Sequence, residues 1–169
     1  MTTVYVNKRL GIALTDSRAT SEIPRSFYGI MKLTPRTEYS VVTQKALYIH
    51  DSLFLATGNV DSIGRILNYL TVQTVPKVDK KTPECECLLL RNDYAVYMNI
   101  YKGKFNKRLI YLYENFEFTM GSGYHALWRS LHRQQPNQYL MTHEDVLTAF
   151  KEVYKYDTFS DDNINLYRI

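Results

Sequence analysis

Cysteine is nearly missing: Cys85 and Cys87 are the only two in 169 residues. A C-x-C pair on a strand puts both thiols on one face. Alone it supplies neither a zinc ligand set nor a disulfide framework. The two read as packing residues in a reducing compartment, the cytosol. Long hydrophobic runs are missing too. None approaches the ~20 apolar residues of a membrane helix, and the first residues lack an apolar stretch behind a basic start, so no signal peptide is expected. A basic stripe is also absent. Lys and Arg exceed Asp and Glu by only 21 to 17. They are scattered apart from short pieces such as Lys102–Lys107, which argues against a nucleic-acid reader. The histidines His50, His125, His132 and His143 show no metal-ligand spacing, and no metal or cofactor is expected. Repeats, low-complexity tracts and linkers do not occur, so residues 1–169 read as one domain.

What the chain does have is apolar residues for a core, 45% of the total, and 15 tyrosines. The tyrosines fall mostly in strand-like runs, where aromatics fill half-buried faces. Thr3–Asn7 and Gly11–Asp16 read as a hairpin. Ser21–Glu38, polar and carrying Pro24 and Pro35, reads as a long loop. Lys45–Ile49 and Ser52–Thr57 form a second hairpin, closed by Gly58-Asn59. From Val60 the period changes: Val60, Ile63, Leu67 and Leu70 fall at helical spacing, with Asn59 or Asp61 as cap. Thr71–Glu84 holds Pro76 and Pro83 and cannot be one helix. Strands resume at Cys85–Arg91, Tyr94–Tyr101, Arg108–Tyr113 and Phe116–Met120. A helix over Tyr124–Arg133 follows Gly121-Ser122-Gly123. Thr142, with an acid three residues on, resembles a capping box opening a helix that carries Val146, Leu147, Phe150 and Val153. Asn163–Ile169 is a last strand. Strands, helix, strands, two helices and a strand describe an α+β layered fold.

The chain opens Met1-Thr2-Thr3-Val4. Once Met1 is removed, Thr2 carries a hydroxyl and a free α-amine, a nucleophile and a base on one residue. Four segments then resemble the proteasome β-subunits and the bacterial proteasome-like peptidase that works with an ATPase ring: Thr2-Thr3-Val4; Thr15-Asp16-Ser17-Arg18-Ala19-Thr20; Met120-Gly121-Ser122-Gly123; and Asp157-Thr158-Phe159-Ser160 followed by Asn165-Leu166-Tyr167. The resemblance spans nearly the whole chain. It implies the N-terminal-nucleophile hydrolase fold, a four-layer α-β-β-α sandwich of two antiparallel sheets, and amide hydrolysis by Thr2. The substrate would be a peptide or unfolded protein. A homo-oligomeric ring and an ATPase unfoldase are the partners implied.

The same resemblance assigns roles. Lys45, at the start of its strand, matches the active-site lysine. Lys32 competes, but Leu33-Thr34-Pro35 cannot supply the strand that should follow it. Asp16 would hold the lysine charged, since a nearby carboxylate favours the ammonium. Ser122, Asp157 and Ser160 would support the threonine amine, the Gly58 N–H would face the oxyanion, and Ala19 and Thr20 would line the substrate cleft, with Thr20 pairing to a peptide backbone. Thr2 to Asp16 is about two residues shorter than in the family. An even deficit keeps the facing of side chains in a hairpin, which favours Thr2 over Thr3. The family's second long helix has no counterpart in Thr71–Glu84. A catalytically silent structural or interaction protein on the same fold is the alternative reading.

Overall fold

The structure is a computed structural model that describes residues 3–16, 19–23, 36–40, 45–153, 155–156 and 164–169, with the backbone alone for 19–23 and 36–40. In chain order the strands and helices are β1 (Thr3–Asn7), β2 (Ile12–Asp16), β3 (Ala19–Ile23), β4 (Arg36–Ser40), β5 (Ala46–Ile49), β6 (Ser52–Gly58), α1 (Val60–Val72), β7 (Cys85–Leu90), β8 (Tyr94–Tyr101), β9 (Lys104–Tyr111), β10 (Glu117–Gly121), α2 (Tyr124–Gln134), α3 (His143–Val153) and β11 (Ile164–Arg168). One sheet has the order β10-β1-β2-β11 and a second the order β5-β6-β7-β8-β9. Every pairing within them is antiparallel.

Strand alternation builds the layers, because successive side chains leave opposite faces. In the first sheet Val4, Val6 and Ala13 face the second sheet and meet its Leu53, Leu55, Leu88 and Leu90. The intervening Tyr5, Ile12 and Leu14 face outward and meet Leu127 and Leu131 of α2 and Val146 and Phe150 of α3. The second sheet repeats the arrangement. Phe54, Cys85, Cys87 and Met98 leave its outer face and pack with Ile66 of α1. Helices, sheet, sheet and helix therefore stack as the four layers that the resemblance implies. The two cysteines are buried free thiols in the outer core, as packing residues should be.

Local chemistry fixes the helix starts. Asn59 caps α1, its Oδ1 accepting the Ser62 N–H at 3.1 Å, which satisfies a donor the helix leaves open. Before α3, the Thr142 N–H donates to Asp145 Oδ2 at 2.8 Å, and the Asp145 N–H returns to Thr142 Oγ1 at 3.2 Å. This is the reciprocal box read from the sequence. The Thr142 N–H and hydroxyl together hold the Asp145 carboxyl below the usual aspartate range.

Two expectations need correction. Ser21–Glu38 is not loop throughout: β3 and β4 pair from Ala19↔Ser40 to Ile23↔Arg36. Polar, proline-flanked sequence hides a strand whose pairing is to its own neighbour. The strand expected at Arg108 begins at Lys104, because the β8–β9 hairpin turns tightly at Lys102-Gly103, each with positive φ. Its alternation is masked, since β9 is an edge strand with mostly exposed residues.

Leu55, fully buried between the sheets, should cost about 2–5 kcal/mol when truncated to alanine. The half-exposed edge residue Leu109 should cost under about 0.5 kcal/mol. Urea unfolding of the two variants checks the inter-sheet core. Thr142→Ala should cost about 1 kcal/mol near neutral pH. Because the Asp145 carboxyl is depressed in the fold, the carboxylate's contribution is present above its ordinary pKa and is lost as pH falls through its folded value. The gap between Thr142→Ala and wild type should therefore close in acid.

Candidate active site

Topology gathers the candidate residues before any side chain is considered. β1 begins at Thr3, β2 ends at Asp16, β6 ends at Gly58, β10 ends at Gly121, and Lys45 immediately precedes β5. Thr3 sits opposite Gly121 in the β1–β10 ladder. Val4 sits opposite Thr15 in the β1–β2 ladder, which brings the end of β2 beside the start of β1. β11 enters the same sheet with Ile164 opposite Asp16. These termini share one end of the sandwich.

Among the described residues the ionic element of the site is one pair. Lys45 Nζ donates to Asp16 Oδ1 at 2.6 Å, with side-chain exposures of 8% and 0%. Asp16 belongs to the first sheet and Lys45 leads into the second, so the pair ties them together. Lys45 is fixed through its backbone as well, its carbonyl accepting the Ala56 N–H at 3.0 Å. Both ions are desolvated, so neither is tolerable without the other. The arrangement holds a cation at a set point near the start of β1.

Gly58 occupies backbone that other residues rarely adopt, with φ +102. A Cβ there would stand 2.6 Å from the Glu84 carbonyl oxygen and 2.7 Å from Cys85 Cα. Glycine is thus required both by conformation and by the close approach of β7. The Ala56 N–H points to Lys45, and the Asn59 N–H points across to Glu84 at 3.1 Å. In an antiparallel ladder amides alternate in direction, which puts the Gly58 N–H on the same side of β6 as that of Ala56.

The Gly121-Ser122 turn is held from the opposite sheet. The Gly121 N–H donates to Glu86 Oε2 at 3.0 Å. Glu86 Oε1 accepts the Tyr97 hydroxyl at 2.6 Å, and Tyr97 Oη accepts from Asn99 Nδ2 at 3.1 Å. Burial, then the bond to Glu86, pushes the Tyr97 hydroxyl well above the usual phenol range, so it remains a donor at any physiological pH. A cavity of ≈ 260 Å³ lies where Gly58, Gly121 and Ser122 face Glu84, Glu86 and Tyr101.

The structure therefore brings Asp16 to Lys45 and Gly58 to Ser122. Ala19 and Thr20 lie in β3, with backbone pairing to Ser40 and Tyr39. Thr2, Asp157, Ser160 and the competing Lys32 lie outside the described residues. Among the described residues no group of three or more His, Cys, Asp or Glu is placed to hold a metal ion, and no helix is long and apolar enough to cross a membrane. Glu86 and Tyr97 escaped the sequence reading. The available signal was the single acid in Cys85-Glu86-Cys87-Leu88-Leu89-Leu90, a charge placed inside an apolar strand.

No family model matches the chain, and no curated protein matches it. Solved structures do. Eukaryotic HslV from Trypanosoma brucei superposes with a TM-score of 0.55 at 12% identity, over 98% of this chain and 97% of its own. Thiobacillus denitrificans BPH in complex with epoxomicin gives 0.55 at 10% identity, covering 99% of this chain and 97% of that one. A further structure of Thiobacillus denitrificans BPH gives 0.56 at 8% identity, covering 99% of this chain and 96% of that one. At such identities what is shared is the fold. The chain has the proteasome-like sandwich of these proteins, as the resemblance in its sequence implies.

Lys45→Met leaves the fully buried Asp16 carboxylate without its ammonium and should destabilise the protein by about 3–5 kcal/mol. Lys102→Met, on an exposed turn, should change stability by less than about 0.5 kcal/mol. Equal denaturation midpoints for the two variants would contradict a desolvated pair at this position.

Proposed function

We propose that this protein is a peptidase whose nucleophile is Thr2, uncovered by removal of Met1, and that it cleaves peptides or unfolded chains. The observation that carries the reading is the buried Asp16–Lys45 pair at the end of the sandwich where β1 begins. A hydroxyl does not lose its proton unaided at neutral pH, and a fixed neighbouring ammonium with an α-amine at hand changes that. In the proposed step Thr2 Oγ1 attacks the scissile carbonyl while its proton passes to the α-amine, directly or through water. Lys45 stabilises the alkoxide as it forms. The tetrahedral oxyanion faces the Gly58 N–H, a donor type that contributes about 3–4 kcal/mol to such transition states. Collapse returns the proton to the leaving amine and leaves an ester on Thr2, which water then hydrolyses to restore hydroxyl and free acid.

Ser122, Asp157 and Ser160 serve the threonine amine in this reading, and Ala19 and Thr20 align the substrate backbone. Glu86 is a positioning residue. By fixing the Gly121 N–H it sets both the Ser122 turn and, through the Thr3↔Gly121 pairing, the start of β1. The reading extends to a cytosolic homo-oligomeric ring fed by an ATPase unfoldase. Val60 and Val72 on α1 and Trp128 on α2 are exposed apolar residues suited to such contacts. A catalytically silent scaffold is the competing reading. It is favoured by one observation, the helix-free stretch 73–84 where the family carries a second long helix.

Intact-mass spectrometry should find the chain without its initiator methionine, and Thr2→Ala should abolish peptide hydrolysis. Retained methionine, or hydrolysis undiminished in Thr2→Ala, would leave the scaffold reading. Glu86→Ala should lower kcat by about tenfold or more, with KM within about twofold, because a small misplacement of reacting groups costs turnover before binding. Unchanged kcat would remove Glu86 from the machinery.

A further inference from the structure

The other end of the sandwich holds a second cavity, about one strand length away, roughly 17 Å for five residues. Its volume is ≈ 390 Å³, and it receives cations from three separate elements: Lys8 after β1, Arg91 after β7 and Arg168 at the end of β11. Two of them are held in place by neutral groups. Lys8 Nζ donates to the carbonyls of Leu112 at 2.9 Å and Asn92 at 3.1 Å. Arg91 Nε donates to Ser52 Oγ at 3.1 Å, and one Nη donates to Tyr94 Oη at 2.8 Å. Acceptors of this kind orient a cation and leave its charge uncancelled. Among the described residues no ion pair joins Lys8, Arg91 or Arg168 to a carboxylate. Among the described residues lining the cavity, Asp51 is the one with an acidic side chain, and Ile169 lies beside it.

Between the cations the floor is apolar. Leu53, Leu90 and Leu112 line it at 4%, 4% and 8% exposure, and the ring of Tyr48 stands at the rim. Holding three like charges around one cavity costs the free protein self-repulsion and restricted side chains. A ligand that spans charge and floor repays this, and small-molecule sites take this form, a mainly apolar wall with a few fixed polar groups. The Arg168 guanidinium fork and the remaining Nη of Arg91 suit a tetrahedral oxyanion bearing several acceptor oxygens, with Lys8 as a point charge beside them.

We propose that this cavity binds a small organic phosphate, its phosphoryl group on Lys8, Arg91 and Arg168 and an aromatic or apolar body on the leucine floor and Tyr48. The site is independent of the peptidase reading, since none of its residues belongs to the Thr2 machinery. Isothermal titration calorimetry on the full chain, with phenyl phosphate, inorganic phosphate and benzoate as probes, tests it. Phenyl phosphate should bind saturably and about tenfold or more tighter than either of the other two, which lack the ring or the second negative charge. Arg168→Gln should weaken it about fivefold or more, and Asp51→Asn should tighten it, because that change removes the opposing charge. Both side chains lie on exposed residues, so the variants should fold, and circular dichroism verifies that they do. Absence of saturable phenyl phosphate binding, or binding unmoved by Arg168→Gln, overturns the site. Inorganic phosphate bound as tightly as phenyl phosphate overturns the organic body, and benzoate bound as tightly overturns the phosphate.

Discussion

The rest of the molecule depends on two sheets meeting face to face, and the Asp16–Lys45 pair is the one ionic contact that crosses between them among the described residues. Hydrophobic burial between Val4, Val6, Leu55 and Leu88 is indifferent to direction. It presses the sheets together but does not decide which strand ends coincide. A desolvated ion pair with one acceptable geometry does. The hydrogen bond from the Gly121 amide to Glu86 adds a second directional tie a short way along the same edge. Together they set the start of β1 against the end of β6, so that the geometry of the proposed chemistry and the registration of the fold are one constraint.

Much of this was legible because alternation and capping are local. Thr3–Asn7, Ser52–Gly58 and Tyr94–Tyr101 write their facing into successive residues, and Asn59 and Thr142 announce helix starts by their own hydrogen-bonding chemistry. The pairing of Asp16 with Lys45 was not local. Nothing between residues 16 and 45 says that they meet, and it was the family resemblance that supplied the pair. Spacing alone left Lys32 in contention. β3 and β4 were missed for the opposite reason, since their polar residues carry little trace of a buried face. The sequence marks Glu86 only as a charge inside an apolar strand, because its partners, Gly121 and Tyr97, lie 35 and 11 positions away.

The two ends of the sandwich are chemically unlike. One gathers a compensated ion pair, a glycine, Gly58, forced by close backbone approach and a carboxylate spent on orienting an amide. The other gathers cations oriented by neutral acceptors around an apolar floor. Strand length separates them, so the core can transmit stability between the two while each keeps its own electrostatic environment.

β1 lies in the interior of its sheet, paired with β10 from Thr3 and with β2 from Val4. Ends of strands commonly fray; here both edges of β1 are paired from Val4 onward. A segment fused ahead of Thr3, a purification tag included, would start from a strand held within its sheet. Affinity handles therefore belong at the opposite terminus, away from that strand.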